Sequence, residues 1–401
     1  MGTYLTPTQV VRESLRILHQ KATFIGSIER QYDDQYAKKG AKVGDTIKLR
    51  LPNQYKSFVG QDQTANFQDT IETSVDLQIS TYRSIPLFFD DTDLTLRIDD
   101  FSDRYLAPAM AQLAADMEKD AYTMYADVSQ QVGAPGTIPN TLKVLNQARA
   151  KMTDSLTPAG DRTVIMNTDA QVEIVDAVKG LFHDQSRVAK QYREGIMGTT
   201  AGFGDIYEST MIPVHTNGTA TGVITVTGAP VEGSSVINLT GTAAQTLTKG
   251  TGFTIAGRFA VHPETKVSTA KLQQYVVTAT ATAVAGAYTA VAVSPAFIAA
   301  ATNAKQNIAS LPAATDVVTL SGAASTGYAQ NLAYHKEAFA FVTADLFMPQ
   351  GTHFAGRDTM DGISLRITKD WDIKTGRMLC RADCLYGFKA IRPSMACRVT
   401  A

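Results

Sequence analysis

The sequence predicts an α+β chain with an all-β region inserted into it. Three observations carry that expectation. Apolar residues between Phe101 and Val128 recur at alternating four- and three-residue steps, the period of one long helix. Flanking segments alternate apolar and polar residues, as half-buried strands do. A nearly uncharged stretch, from about Val214 to Tyr334, then interrupts the style of the chain. At 401 residues the chain is too long for one compact core, so two or three domains are expected.

The first element is a helix starting at Thr6-Pro7-Thr8-Gln9. Thr6 caps, Pro7 suits the first helical position, and Gln9 reaches back as in a capping box. Val11, Leu15, Leu18, Ala22 and Ile25 form its apolar face. A polar stretch, Glu29 to Gly44, separates it from the next core element. The helix therefore either packs at home or acts as an arm that docks elsewhere.

Two strands follow, one with Ile47, Leu49 and Leu51 alternating with Lys48 and Arg50, the other with Val75, Leu77 and Ile79. The tip between them, Asn53 to Asp69, reads as polar. A long two-stranded arm is marginal alone in water and wants a partner surface. Ser84 to Asp100 reads as a lead into the long helix, past Asp90, Asp91 and Asp93. That acidic cluster lacks the glycine and glutamate of a calcium-binding EF-hand loop and reads as a solvated junction.

The long helix carries Leu106, Met110, Leu113, Met117, Ala121, Met124 and Val128 on one stripe, with Asp99, Asp100 and Asp103 at its positive end. Its length would be roughly 40 Å. Pro108 leaves two readings: the regular helix starts near Ala107, with Pro108 in its first turn, or it kinks there. After a break at Gly133-Ala134-Pro135-Gly136, Asn140 is placed to cap a helix with Leu142, Leu145, Ala148 and Met152 inward. Thr163 to Met166 reads as a buried strand, and Asp169 to Val178 as a helix capped by Asn167 or Thr168. The glycine-rich segment from Gly195 to Val214 lacks the Lys-Ser/Thr ending of a phosphate-binding loop.

From Val214 to Tyr334, short β-type runs are punctuated by glycines at 228, 241, 257, 286 and 322. They are Val223–Thr227, Ser235–Leu239, Phe253–Ala256, Tyr275–Thr280, Tyr288–Val293 and Val317–Leu320. That spacing predicts a small barrel or sandwich, an insertion domain. The mixed style then resumes with strands at Ala338–Val342, Ile363–Ile373 and Leu379–Tyr386 and an extended end, Met395 to Thr400. Trp371, the single tryptophan, reads as a core residue.

Lysine plus arginine (37) balance aspartate plus glutamate (38), so the global basic charge of a dedicated nucleic-acid binder is missing. No apolar run is long enough to span a bilayer, and the N-terminus lacks an apolar signal core, which predicts a cytosolic site of synthesis. Cys380 and Cys384 would share one side of a strand about 13 Å apart, too far for a disulfide, so all three cysteines, with Cys397, are expected free. No nucleophile elbow, zinc-protease or Walker motif occurs. His183 beside Asp184, and His353 near Asp358, have no placed nucleophile. No catalytic residue, cofactor site or metal site is assigned, and a scaffold or assembly protein is expected.

Several short matches, in a shared order over most of the chain, resemble one family. Leu96-Arg97-Ile98-Asp99-Asp100 precedes the long helix, and Asn167 with Asp169 follows the short strand. Gly202-Phe203-Gly204-Asp205-Ile206 leads to Ser209 and Ile212-Pro213-Val214. Leu379-Cys380-Arg381 is followed by Leu385-Tyr386-Gly387 and Arg392-Pro393. These resemble the major coat proteins of tailed phages with the Hong Kong 97-type fold, nearest to the short-tailed P22-type proteins that carry an inserted β-domain.

The resemblance implies a division into an N-terminal helical arm (1–33), an extended two-stranded E-loop (34–90), a peripheral domain with the spine helix (91–135 and 357–401), an axial domain (136–213 and 335–356) and the inserted β-domain (214–334). It implies a coat protein that assembles into hexamers and pentamers of an icosahedral head around packaged double-stranded DNA, bound without sequence specificity. A scaffolding protein, a portal ring and a decoration protein are the implied partners, with no membrane involved. The expected location is the virion, after assembly in the host cytoplasm. A bacterial compartment shell of the same fold, an encapsulin-like protein, is the alternative. Lys48, Arg50, Asp62, Asp69 and Glu72 on the extended loop are the candidate subunit-interface residues.

Overall fold

The N-terminal helix, α1, runs from Pro7 to Lys21 in a computed structural model that describes residues 7–30, 46–60, 64, 67–68, 73–90, 107–178, 201–352, 354–374 and 377–400. Thr6, the expected cap, lies outside the described residues. Val11, Leu15, Leu18, Ala22 and Ile25 are all buried, as their spacing predicts. Of the two readings of this helix, the structure takes the first: α1 packs at home, with Arg12 reaching Asp358 at 2.7 Å. A single turn, α2 (Phe24–Ser27), follows.

The chain divides into two units, one of residues 1–49, 74–122 and 339–391, the other of residues 50–73, 123–338 and 392–401. The first is built on a six-stranded sheet. Glu29–Arg30 lies parallel to Phe339–Ala344, which pairs antiparallel with the 14-residue strand Arg377–Ala390. Ile363–Asp372 and Phe354–Met360 continue the order, and Thr81–Asp90 also pairs with the long strand.

The spine helix, α3, is regular from Ala107 to Tyr122. The chain continues as 3₁₀ turns at Thr123–Asp127, so the single long helix expected over 101–128 is shortened at its end. Its expected start at 101–106, including Leu106, lies outside the described residues. Pro108 occupies the second helical position, where no intrahelical N–H partner is lost. Met110, Leu113, Met117 and Ala121 are buried as the stripe predicts, and Phe24 stacks on Tyr122 with ring centroids 4.5 Å apart.

The second unit contains a five-stranded sheet in the order Gln131–Val132, Ala396–Val399, Asn331–His335, Arg162–Met166, Asp205–Glu208. Helix α4 (Leu142–Asp154) buries Leu145, Ala148 and Met152 against it. Its N-cap residue is Thr141, one place after the expected Asn140, and no side-chain cap bond forms. Helix α5 (Thr168–Val178) is capped by Asn167, whose Oδ1 accepts from the Ala170 N–H at 3.1 Å.

All six strands expected between Val214 and Tyr334 form one six-stranded sheet. Its order is Val236–Thr240, Ala287–Ser294, Ser268–Val277, Gly252–Val261, Val317–Leu320, Ile224–Thr225. Its two edges also meet, through a bridge between Val226 and Leu239 and a 2.7 Å hydroxyl contact between Thr225 and Thr240. Phe253, Tyr275, Tyr288 and Phe297 fill its apolar core. Trp371, expected in a core, is half-buried on the sheet of the first unit.

Candidate assembly surfaces

The extended hairpin forms because its strands, Thr46–Leu51 and Thr73–Gln78, alternate: Leu49 and Leu77 turn inward while Lys48 and Arg50 are exposed. Between the strands, Gln68 clasps the opposite limb. Its Oε1 accepts from the Lys56 N–H at 2.8 Å, and its Nε2 donates to the Lys56 carbonyl at 2.7 Å. The tip expected to be polar instead displays aromatic side chains: Tyr55 is 60% exposed, Phe58 45% and Phe67 87%. Val59 beside them is fully exposed. Aromatic and apolar side chains in that density mark a contact surface, because water gains nothing from them. Of the five interface candidates, Lys48 and Arg50 share one exposed strand, whereas Asp62, Asp69 and Glu72 lie outside the described residues.

A second surface lies on the sheet of the first unit, on the side opposite to the one where Arg83 meets the spine helix. Asp383 is fully enclosed there, yet it is ionically saturated. Arg366 Nη2 donates to its Oδ2 at 2.5 Å and Arg381 Nε to its Oδ1 at 2.5 Å. The hydroxyl of Tyr82 accepts from Arg381 at 2.7 Å and from Arg366 at 3.1 Å, and the Arg381 guanidinium lies 5.3 Å from the Tyr82 ring centre. The hydrogen bond to Asp383, ahead of all other influences, raises the pKa of Arg381, so this charge is permanent. Arg366 also holds the Phe347 carbonyl at 2.7 Å, and the Phe347 side chain is 76% exposed. An exposed tyrosine and phenylalanine beside two arginines held in place by a buried carboxylate form a rigid patch of the composition that dominates protein contacts.

Both surfaces escape the sequence reading in part. Tyr55, Phe58 and Phe67 are legible as aromatic residues inside a turn-rich stretch. Asp383 is not, because Arg381-Ala382-Asp383 looks like any solvated strand face until Arg366 is placed opposite.

On the other side of the same sheet, Arg83 grips the spine helix. Its Nη2 lies 2.8 Å from Asp120 Oδ2, which also accepts from the Tyr386 hydroxyl at 2.6 Å. Asp358, considered beside His353, is taken by Arg12. His353, His183 and Asp184 lie outside the described residues. Among the described residues no group of three or more His, Cys, Asp or Glu could hold a metal ion, and no helix is long and apolar enough to cross a membrane.

Among curated proteins no relative matches the chain. Among solved structures, a Mycobacterium phage Che8 chain is 15% identical, with a TM-score of 0.47 over 94% of this chain and 90% of that one. The capsid of cyanophage P-SCSP1u is 12% identical, with a TM-score of 0.46 over 94% and 92%. The procapsid of satellite phage P4 is 7% identical, with a TM-score of 0.40 over 100% and 92%. The decisive match is of sequence to a family model, described as P22 coat protein, gene protein 5, and it spans residues 8–399. The chain belongs to the P22 coat protein family, the major capsid proteins of phage heads.

Proposed function

We propose that copies of this chain form hexamers and pentamers of a closed icosahedral shell, with the extended hairpin of each copy lying across its neighbour. The observation that carries this is the exposure of Tyr55, Phe58, Val59 and Phe67 on a clasped hairpin. A two-stranded ribbon is marginal alone, and a neighbour that covers these rings stabilises both partners. Lys48, Arg50, Asp62, Asp69 and Glu72 supply the charges at that junction. Each exposed ion pair contributes at most about 1 kcal/mol, but a shell repeats every contact many times.

The division into helical arm (1–33), E-loop (34–90), peripheral domain (91–135 and 357–401), axial domain (136–213 and 335–356) and inserted β-domain (214–334) belongs to the same reading. The Val226–Leu239 bridge supports a closed barrel for the insert. Near-balanced charge suits a wall that encloses double-stranded DNA without gripping it, since tight phosphate neutralisation needs many cations. Scaffolding, portal and decoration proteins complete the proposed partners, and assembly takes place in the host cytoplasm. The encapsulin-like alternative loses ground to the phage coat family match. Terminase and portal genes beside this one, rather than a cargo enzyme, are the expected neighbours.

The test is assembly with scaffold present, followed by electron microscopy. The native chain should give closed shells. Asp62→Ala with Glu72→Ala, or Phe58→Ser with Phe67→Ser, should impair shells while the monomer still folds. Native chains that stay monomeric under all such conditions would sink the reading, and doubly substituted chains that misfold as monomers would sink the interface assignment.

A further inference from the structure

Within the second unit, two apolar cores are separate. One fills the six-stranded sheet; the other lies between α4, α5 and the five-stranded sheet. What joins them is polar. The Gln131 N–H donates to Gln274 Oε1 at 2.8 Å, and Gln274 Nε2 returns a bond to the Gln131 carbonyl at 3.0 Å. Lys151 donates to the same carbonyl at 2.7 Å, and Lys271 pairs with Asp154 at 2.5 Å. Arg398, fully buried on the last strand, donates from Nη1 to the Gly250 carbonyl at 2.6 Å. Its Nε and Nη2 have no partner among the described residues.

His215 sits in this seam, 3% exposed. Tyr125 and Tyr328 flank its ring edge-on, at 5.8 and 5.7 Å. The Tyr125 hydroxyl lies 3.1 Å from Nδ1 and the Thr251 hydroxyl 3.5 Å from Nε2. Gly250 closes the site: a Cβ there would lie 3.1 Å from His215 Cε1 and 3.2 Å from the Ala126 Cβ. Among the described residues, the groups facing His215 are therefore Tyr125 and Ala126 from the 3₁₀ turns, Gly250 and Thr251 from the turn before Gly252–Val261, Tyr328, Asn217 and Arg398. None is a carboxylate. Asp127, next along the 3₁₀ turns, is engaged by Lys249 at 3.6 Å. A neutral ring satisfies this arrangement, with Tyr125 donating to Nδ1 and Nε2–H donating to Thr251. A protonated ring must donate from both nitrogens, which turns Tyr125 from donor to acceptor and leaves its O–H in need of another partner, and it adds a second cation beside Arg398.

We propose that this seam is an acid-opened joint: proton uptake by His215 beside Arg398 undocks the six-stranded sheet from the five-stranded sheet while both apolar cores stay closed. Burial, ahead of the Arg398 charge, holds the His215 pKa down at about 4, against an ordinary value of 6.5. The docked state is therefore fully favoured above pH 6.5, and its advantage shrinks as pH falls from there towards 4. One proton taken up on opening changes the open fraction about tenfold per pH unit in that window.

The test is hydrogen exchange on the full-length chain between pH 7 and pH 4, corrected for the intrinsic pH dependence of exchange. Exchange of the Gln131 amide, which bonds across the seam, should rise about tenfold per pH unit below 6.5, while Val164 and Val293 in the two cores stay protected. His215→Asn keeps an acceptor facing Tyr125 and cannot titrate, so its seam exchange should be independent of this window. It retains the Asp127–Lys249 and Asp154–Lys271 pairs, which separates their protonation from that of His215. An equal acid response in His215→Asn overturns the proposal. If that variant fails to fold, the native series decides alone: no gain at Gln131, or an equal gain at Val164 and Val293, also overturns it.

Discussion

Glu118, from the middle of the spine helix, accepts the Phe24 N–H at 2.7 Å and so caps the short N-terminal turn α2. Thr23 at the start of that turn makes no side-chain cap bond to its own helix, and its hydroxyl lies 3.4 Å from both oxygens of Glu118. One buried carboxylate thus ties α2 to the helix against which it packs. Removing it in Glu118→Ala takes away the acceptor for a buried N–H and should cost about 1–3 kcal/mol. Glu118→Gln keeps an acceptor oxygen without the buried charge and should not lower stability at pH 7. Urea unfolding at pH 7 ranks the two.

The same residue gives a pH dependence with a definite sign. Burial, outweighing the hydrogen bonds from Phe24 and Thr23, raises its pKa above the ordinary 4.5. The folded chain therefore holds this proton more tightly than the unfolded chain. The stability it contributes is fully present below 4.5, is lost as pH rises through the folded value, and is flat above it. Glu118→Gln should lack that decline. Unfolding free energies of native and Gln chains, measured from pH 4 to pH 7, should converge towards acid and separate towards neutrality. Parallel curves would show that Glu118 does not titrate differently on folding.

Gly387 meets backbone, not side chain. A Cβ on it would sit 2.3 Å from the Gln78 carbonyl oxygen and 3.0 Å from the Ile79 Cα. The three nearest atoms are all main chain of Gln78 and Ile79, so no rotamer can absorb the clash, and Gly387→Ala should cost about 1–3 kcal/mol or more and lower soluble yield. Gly26, inside α2, is the control, since a methyl group added there would meet nothing within 4 Å. Gly26→Ala should stabilise by up to about 1 kcal/mol through helix propensity. Thermal melts of the two variants should move in opposite directions.

The contrast between these glycines bears on what a sequence makes legible. The six strands between Val214 and Tyr334 are legible because they are short β-branched runs, most of them punctuated by glycine, and all six pair. The spine stripe is legible because Met110, Leu113, Met117 and Ala121 keep a helical period. Thr81–Asp90 is hidden because Pro86 argues against a strand. The proline is tolerated because, among the described residues, that strand pairs with one neighbour, Arg377–Ala390, as edge strands allow. Phe354–Met360 is hidden by Gly356 and by two charges, Arg357 and Asp358, that the sheet edge accommodates. The buried polar residues Glu118, Asp383, His215 and Arg398 carry no local pattern, since their partners lie far along the chain or on strands whose register no single segment specifies.

Asp383 shows what that hidden register protects. Its carboxylate is enclosed between Arg366 and Arg381, with Arg366 the more buried of the two. Asp383→Ala leaves the Arg366 charge without its counter-ion, which in buried pairs costs about 3–5 kcal/mol. The half-exposed Arg381 can turn to water, which places the expected loss at the lower end. Asp383→Asn retains an acceptor and should fall between. Double substitution of Asp383→Asn with Arg366→Met should recover part of the loss. A single Asp383→Ala that unfolds at the native urea concentration would refute the ionic role.

The three cysteines of the return strands give the last expectation. Cys380, Cys384 and Cys397 are free and buried, in line with their spacing. Burial, reinforced by the Asp383 charge, pushes the Cys384 thiol up to about 12, and burial pushes Cys397 up to about 11. At pH 8 the thiolate, which is the reacting form, is then about one part in ten thousand at Cys384 and one in a thousand at Cys397. Enclosure adds a second barrier, because the reagent must wait for the sheet to open. Iodoacetamide should therefore leave the native chain unlabelled over hours and modify all three sites in urea, with Cys380, the least enclosed, reacting first. Mass spectrometry of the digested chain reads each site separately. Rapid labelling of Cys384 in the native chain would mean that the long strand Arg377–Ala390 opens far more readily than its pairing on both sides implies.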